Sequence, residues 1–178
     1  KYPCRNIDQN MADLSAQIAA NTTGLKELQK ITDQFGVDTV HAYMSHVQAN
    51  AEESVRRVLD VLHDCEFTYP LDSGDQIRVA ISVHKAQRTA TIDFTGTSPQ
   101  NEWNYNAPLA ICRAVVLYVF RTLVGTDIPM NEGCLKPLTL IVPAGSMINP
   151  DSPAAVISGN TEVSQAIADT LYGALGVI

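Results

Sequence analysis

The 178-residue chain is 46% hydrophobic with a formal charge of −7, which is enough apolar material to bury a core in one domain or two small lobes and excludes a disordered chain. Neither half is basic, and apart from Arg56-Arg57 the lysines and arginines stand singly, so the clustered cations that nucleic acid requires are missing and no nucleic-acid partner is expected. No membrane is expected either: the longest apolar run, around Ala114 to Phe120, is far short of the roughly 20 residues that span a bilayer.

Four cysteines, Cys4, Cys65, Cys112 and Cys134, are scattered with no CxxC spacing, and Cys112 sits among apolar residues where it acts as a small hydrophobe. Together with the absence of a signal-peptide pattern, this reads as a soluble protein of a reducing cytoplasm. The chain starts without Met and stops at Ile178 inside an apolar pattern, so it reads as an internal piece of something longer.

From Met11 to Phe35, the residues Met11, Leu14, Ile18, Leu25, Leu28 and Ile31 recur at helical spacing, with Asn21-Thr22-Thr23-Gly24 expected to interrupt the stripe. Gly36 is the expected stop. Asp38 is then placed to cap a second helix whose stripe runs Val40, Met44, Val47, Ala51, Val55, Val58 and Leu62, with Gln48, Glu52, Glu53, Arg56 and Asp60 on a solvated opposite face. Two such helices joined by a short turn are expected to form an antiparallel pair, or to bend, and to bury both stripes. His41 and His46 are five residues apart, on different faces of that helix, unlike the i, i+4 pair of a zinc helix, so no metal is assigned to them. His63 and His84 read as surface residues.

Period two takes over at Asp75. Ile77, Val79, Ile81 and Val83 alternate with polar or small residues, and after Lys85-Ala86-Gln87 the partner run places Ala90, Ile92 and Phe94 against Thr89, Thr91 and Asp93, an antiparallel hairpin with one buried face. Asp93 lies near the strand end on the face away from Phe94, where its carboxylate either accepts hydrogen bonds from the following loop or points at a ligand. That loop, Asp93 to Pro108, collects two hydroxyls around a glycine, three asparagines and the single tryptophan. Leu109 to Val124 is apolar on nearly every face, as expected of a central buried helix, and Arg121 needs a partner there, either Asp93 or Asp127, unless it reaches solvent.

A second polar loop spans Gly125 to Cys134, and Leu138 to Val142, between Pro137 and Pro143, is a short strand. The third loop, rich in Pro, Ser, Asn and Gly, delivers the chain to a last helix near Thr161. Ser158-Gly159-Asn160-Thr161 ahead of it is either an anion site or an ordinary N-cap by Asn160 or Thr161. The expected fold class is therefore α+β, an antiparallel β-hairpin or sheet packed on a buried central helix with a two-helix amphipathic arm at the N-terminus. The arm is assigned to residues 1–65 and the α+β body to 66–178.

Seven blocks in order carry a resemblance. They are Asp13-Leu14-x-Ala16-Gln17 with Ala19-Ala20, Ile92-Asp93-Phe94-Thr95-Gly96-Thr97, Asn104-x-Asn106-Ala107-Pro108, Asp127-Ile128-Pro129-x-Asn131-x-Gly133, Pro143-x-Gly145-Ser146, Pro153-Ala154-Ala155-Val156 and Gly159-Asn160-x-x-x-Ser164-Gln165. From about Arg5 to Ile178 the chain resembles the hydantoinase B/oxoprolinase family. The resemblance implies part of the B component of an ATP-dependent cyclic-amide hydrolase acting on 5-oxoproline or a hydantoin. An A-type subunit or domain, holding ATP and Mg, phosphorylates the lactam oxygen, and the B component lets water open the activated ring. Turning a poor carbonyl electrophile into one with a phosphate leaving group lowers the barrier to attack.

Three readings follow from it. In the first, Asp93 orients Thr97 or a water, Asn104, Asn106, Asn131 and Ser164 face substrate, and the Gly159-Asn160 turn binds an oxyanion or phosphate. In the second the blocks are non-catalytic hydrogen-bonded joints, and in the third the helical arm docks the A-type partner. A related acetone- or acetophenone-type carboxylase is the alternative chemistry. Family members are several times this length, and the upstream segment with a Gly-Gly-Thr-His-like block, to which metal ligands of the carboxylases belong, is absent. No metal or cofactor is therefore placed on these residues, the isolated piece is expected to be inactive, and the intact enzyme is expected to be oligomeric.

Overall fold

A computed structural model describes residues 5–177, with Cys4 of the cysteine inventory outside the described residues. Its elements are α1 (Ile7–Phe35), α2 (Val37–Val61), β1 (Cys65–Pro70), β2 (Gln76–His84), β3 (Thr89–Asp93), α3 (Leu109–Thr122), β4 (Leu138–Ile141) and α4 (Glu162–Leu175). The chain divides into two compact units, Lys1–His46 and Val47–Ile178. None of the described helices is long and apolar enough to cross a membrane.

In the first unit, α1 runs unbroken for 29 residues, which corrects the interruption expected at Asn21 to Gly24. Thr22 and Thr23 turn their hydroxyls back onto the carbonyls of Ile18 and Ala19 (2.9 and 3.0 Å), so the polar stretch is satisfied within the helix. Gly36 ends it at φ 82° and donates its N–H to Thr32 O. Asp38 proves to be inside the first turn of α2, where it complements the dipole rather than capping. The expected burial holds in α2 at Val40, Ala51 and Val55 but fails for α1, where no residue is buried and Met11, Leu14, Ile18 and Leu25 are all more than half exposed.

The second unit is α+β. Its sheet has the order β1-β2-β3-β4, antiparallel except for the parallel pair β3–β4. The period-two residues Ile77, Val79, Ile81, Ala90 and Ile92 are all buried, and Ile81 stands opposite Ile92 in the register, since a one-residue slip would turn the whole set to the outer face. Strand β1 lies where only a boundary was expected. Its Cys65, Phe67 and Tyr69 oppose Ile81, Val79 and Ile77. Helix α4 covers β1 and β2, and α3 packs against α4. Only Cys112, Val116, Val119 and Phe120 of α3 are buried, while Tyr118 is half exposed, so this all-round apolar helix uses one face in the core. At Gly173 of α4 a Cβ would lie 2.7 Å from the Phe67 ring, so the glycine sets how closely α4 seats on β1.

The second half of α2 corrects another expectation. Ala51, Val55 and Leu59 join the core, but the charged face read as solvated holds the β2–β3 turn. Arg56 donates to Gln87 O and Arg88 O, Lys85 donates to Leu59 O and Asp60 O at the helix C-terminus, and Arg88, at φ 54°, pairs with both Glu53 and Asp60. The Gly133 turn seats against the same helix: a Cβ there would lie 2.1 Å from Gln48 O.

Hydrogen bonds from Arg88 hold the Glu53 and Asp60 carboxyls below the usual carboxylate range. Their folded values are below the unfolded ones, so this contribution to stability is complete above about pH 4.5 and is lost as pH falls through the lowered values. Arg88→Gln should flatten that acid limb when urea unfolding is followed as a function of pH. Gly133→Ala should cost about 1–3 kcal/mol or more in the same assay at neutral pH, because the contact is with backbone that cannot rotate away.

Candidate functional site

Leaving β3, the chain makes a tight turn in which the Asp93 carboxylate accepts the Thr95 N–H at 2.8 Å, the local capping that an Asp favours two residues ahead of a free amide. Gly96 takes φ 98° against the Arg78 side chain. Thr97 then accepts the N–H of Arg78 (3.1 Å) and donates its hydroxyl to Arg78 O (3.2 Å), and Ser98 Oγ accepts the N–H of Gln76 (2.9 Å). The loop is thus sewn along β2. No hydrogen bond joins Asp93 to Thr97 among the described residues; each is engaged with nearby backbone instead.

Further on, Asn106 is fully buried. Its carboxamide donates to Asn101 O (3.0 Å), Trp103 O (3.1 Å) and Ala155 O (2.9 Å), and accepts the N–H of Asn101 (3.0 Å). Nearby, Ser158 N–H donates to Asn104 O, Ala107 N–H to Met147 O, and Gln100 N–H to Gly145 O. A Cβ at buried Gly159 would come within 3.0 Å of Asn106 O. The blocks around 93–108, 143–149 and 153–160 therefore meet in space. What they form is a backbone weave fastened by Asn106, and it leaves the side chains of Asn104, Asn160, Trp103 and Ile157 exposed.

Asn131 lies outside this weave, capping the 132–135 turn through Gly133 N–H (2.8 Å). Arg121 finds Ile128 O (2.6 Å) and Asp127 (3.4 Å), which decides between the two carboxylates considered for it. At the start of α4, Thr161 makes no side-chain cap. The Thr161 hydroxyl donates to the Glu162 carboxylate and is the first cause of its pKa lying below the usual range. An exposed carboxylate thus stands beside the 158–161 turn that was read as either an anion site or an N-cap. Ser164 donates its hydroxyl to Thr161 O (2.9 Å).

Between α3 and α4 lies a groove of about 330 Å³, lined by Ile111, Ala114, Val115, Tyr118 and, across it, Asn160, Ser164, Gln165 and Ala168. Asn160 and Ser164 thus come together here, while Asp93, Thr97, Asn104, Asn106, Asn131 and Gly159 do not line it. The α3 residues were missed in the sequence, although a helix with more apolar faces than one core needs was the available signal. No three His, Cys, Asp or Glu side chains cluster to hold a metal among the described residues. Burial pushes the Cys112 thiol up to about 12, too high for a nucleophile near neutral pH.

The model of the family described as hydantoinase B/oxoprolinase matches residues 2–178. The chain is 40% identical to 5-oxoprolinase 1 of Arabidopsis thaliana over 96% of its length and 39% identical to the 5-oxoprolinase of Saccharomyces cerevisiae over all of it. It spans only 15% of the length of either relative. Its fold is also that of part of an ATP-dependent caprolactamase from Pseudomonas jessenii, with a TM-score of 0.69 at 20% identity over 93% of this chain and 30% of that one.

Because truncating Asn106 leaves three carbonyls and one N–H without their buried partner, Asn106→Ala should destabilise the fold by about 2–4 kcal/mol, whereas exposed Asn104→Ala should stay within about 0.5. Hydrogen exchange should speed up at Asn101 and Ser158 together in the first variant and at neither in the second.

Proposed function

We propose, from the premise that the chain belongs to the hydantoinase B/oxoprolinase family, that it is a segment of the B component of an ATP-dependent enzyme that opens a cyclic amide such as 5-oxoproline. Identity of about 40% to 5-oxoprolinases supports ring hydrolysis over the carboxylation of a ketone. The observation that carries the assignment of roles is the buried Asn106. It makes the 93–108 and 153–160 blocks a rigid frame in which Asp93, Thr97, Asn106 and Gly159 position backbone, as Asn131 does separately in the 132–135 turn, with Asn104, Asn160 and Ser164 presented toward the ring.

The start of α4 carries the Glu162 carboxylate and no cation, which disfavours a phosphate there. ATP and magnesium are therefore assigned to the A-type partner, and no step is drawn through them here. This division of labour suits a reaction whose activation and ring opening are separate events. Within the B component, the neutral side chains Asn104, Asn160 and Ser164 would hold and orient the ring while water attacks.

A second role for the N-terminal arm is favoured by one observation, the exposed apolar stripe of α1. Such a stripe suits an apolar surface of the A-type partner.

In the intact two-component enzyme, Asn104→Ala and Ser164→Ala should each lower ATP-coupled ring opening at least tenfold with normal folding and assembly, while Thr97→Val should act through loss of soluble protein. Full turnover in both of the first two variants would overturn the assignment. For the arm, Leu14→Glu with Leu25→Glu should abolish co-purification with the A component; unchanged co-purification would remove this docking role.

A further inference from the structure

The groove between α3 and α4 has a chemistry of its own. Ile111, Ala114, Val115 and Ala168 make its apolar lining, and no side chain that lines it carries a formal charge. The hydrogen-bonding groups present are all neutral. Gln165 gives an N–H to Asp169 (2.8 Å) and Ser164 gives its hydroxyl to Thr161 O, leaving both with free acceptor oxygens. Asn160 contributes the one carboxamide of the lining that makes no hydrogen bond among the described residues.

A carboxamide presents an N–H and a C=O side by side. A secondary amide in a small ring is held cis, so its N–H and C=O also lie on one edge, and the two edges can pair through two parallel hydrogen bonds. An open-chain secondary amide is trans, with N–H and C=O on opposite sides, and can satisfy only one of the two. An apolar lining then suits the methylene side of the ring.

We infer that the α3–α4 groove binds the cis-amide edge of a neutral cyclic amide before its oxygen is phosphorylated, with the Asn160 carboxamide paired to the ring N–H and C=O and the ring carbons lying against Ile111 and Val115. The inference rests on the cyclic-amide reading above and adds the place and mode of recognition. It also implies that a carboxylate on the ring points out of the groove, since no cation lines it.

The test is a titration of the intact enzyme, ¹⁵N-labelled at its asparagine, tyrosine, serine and alanine residues, with 2-pyrrolidone, followed by amide shifts. Saturable shifts are expected at the Asn160 side chain and at Tyr118, Ser164 and Ala168, with N-methylacetamide binding at least tenfold more weakly. Asn160→Ala should weaken 2-pyrrolidone at least tenfold. Ala114→Leu, a substitution at an exposed position that fills the groove, should do the same, and keeps the test open should the first variant fold poorly. Shifts mapping elsewhere, equal binding of the open-chain amide, or no binding at all would overturn the groove assignment while leaving the cyclic-amide reading standing. That reading falls separately, if the intact enzyme opens no lactam.

Discussion

A primary amide buried out of reach of water must satisfy two N–H bonds and one oxygen or leave desolvated polar groups behind. Asn106 meets this demand with the backbone of Asn101, Trp103 and Ala155, and so ties two stretches about fifty residues apart in the chain. Met147, bonded to both Ser98 and Ala107, adds a third strand to the weave. Because its shorter bonds all go to backbone, only the Asn101 side chain is drawn in beside it. That is why a loop so rich in hydrogen-bonding residues both locks the fold and leaves Asn104, Trp103 and Asn160 exposed.

The charged half of α2 follows the same logic at the opposite extreme of chemistry. Arg56, Arg88 and Lys85 hold the β2–β3 turn to the helix through carbonyls and two carboxylates. Individual exposed ion pairs contribute little, but a guanidinium shared by two carboxylates and anchored by backbone bonds forms a network with fixed geometry. Such a face has the composition of a solvated helix surface. Only the position of the turn against it distinguishes the two.

Surfaces that the fold leaves uncovered are informative as well. The stripe of α1 and the Tyr118 face of α3 are apolar and exposed, and the chain spans a small share of the relatives it matches. The α3–α4 groove differs from the α1 stripe in carrying uncharged polar groups beside its apolar lining. That difference separates a surface suited to a small polar ring from one suited to another apolar face.

Much of this protein is legible from its residues alone. Alternation at Ile77, Val79, Ile81 and Ile92 determined the hairpin and its buried face, helical spacing determined α1 and α2, all-round apolarity marked α3, and the ordered blocks determined the family, because these signals are local. Strand β1 escaped because six residues ending in proline make a weak pattern, and the continuity of α1 through Asn21 to Gly24 escaped because helical back-bonding by threonine looks like turn chemistry in sequence. Which polar residues fasten backbone and which stay free was decided only by tertiary structure. Asp93, Thr97, Asn106 and Asn131 read as equal candidates with Asn104, Asn160 and Ser164, since a side chain's partners lie up to fifty residues away. The physical reason is that hydrogen-bond satisfaction is set by what arrives opposite a group after packing, and residue type alone does not encode it.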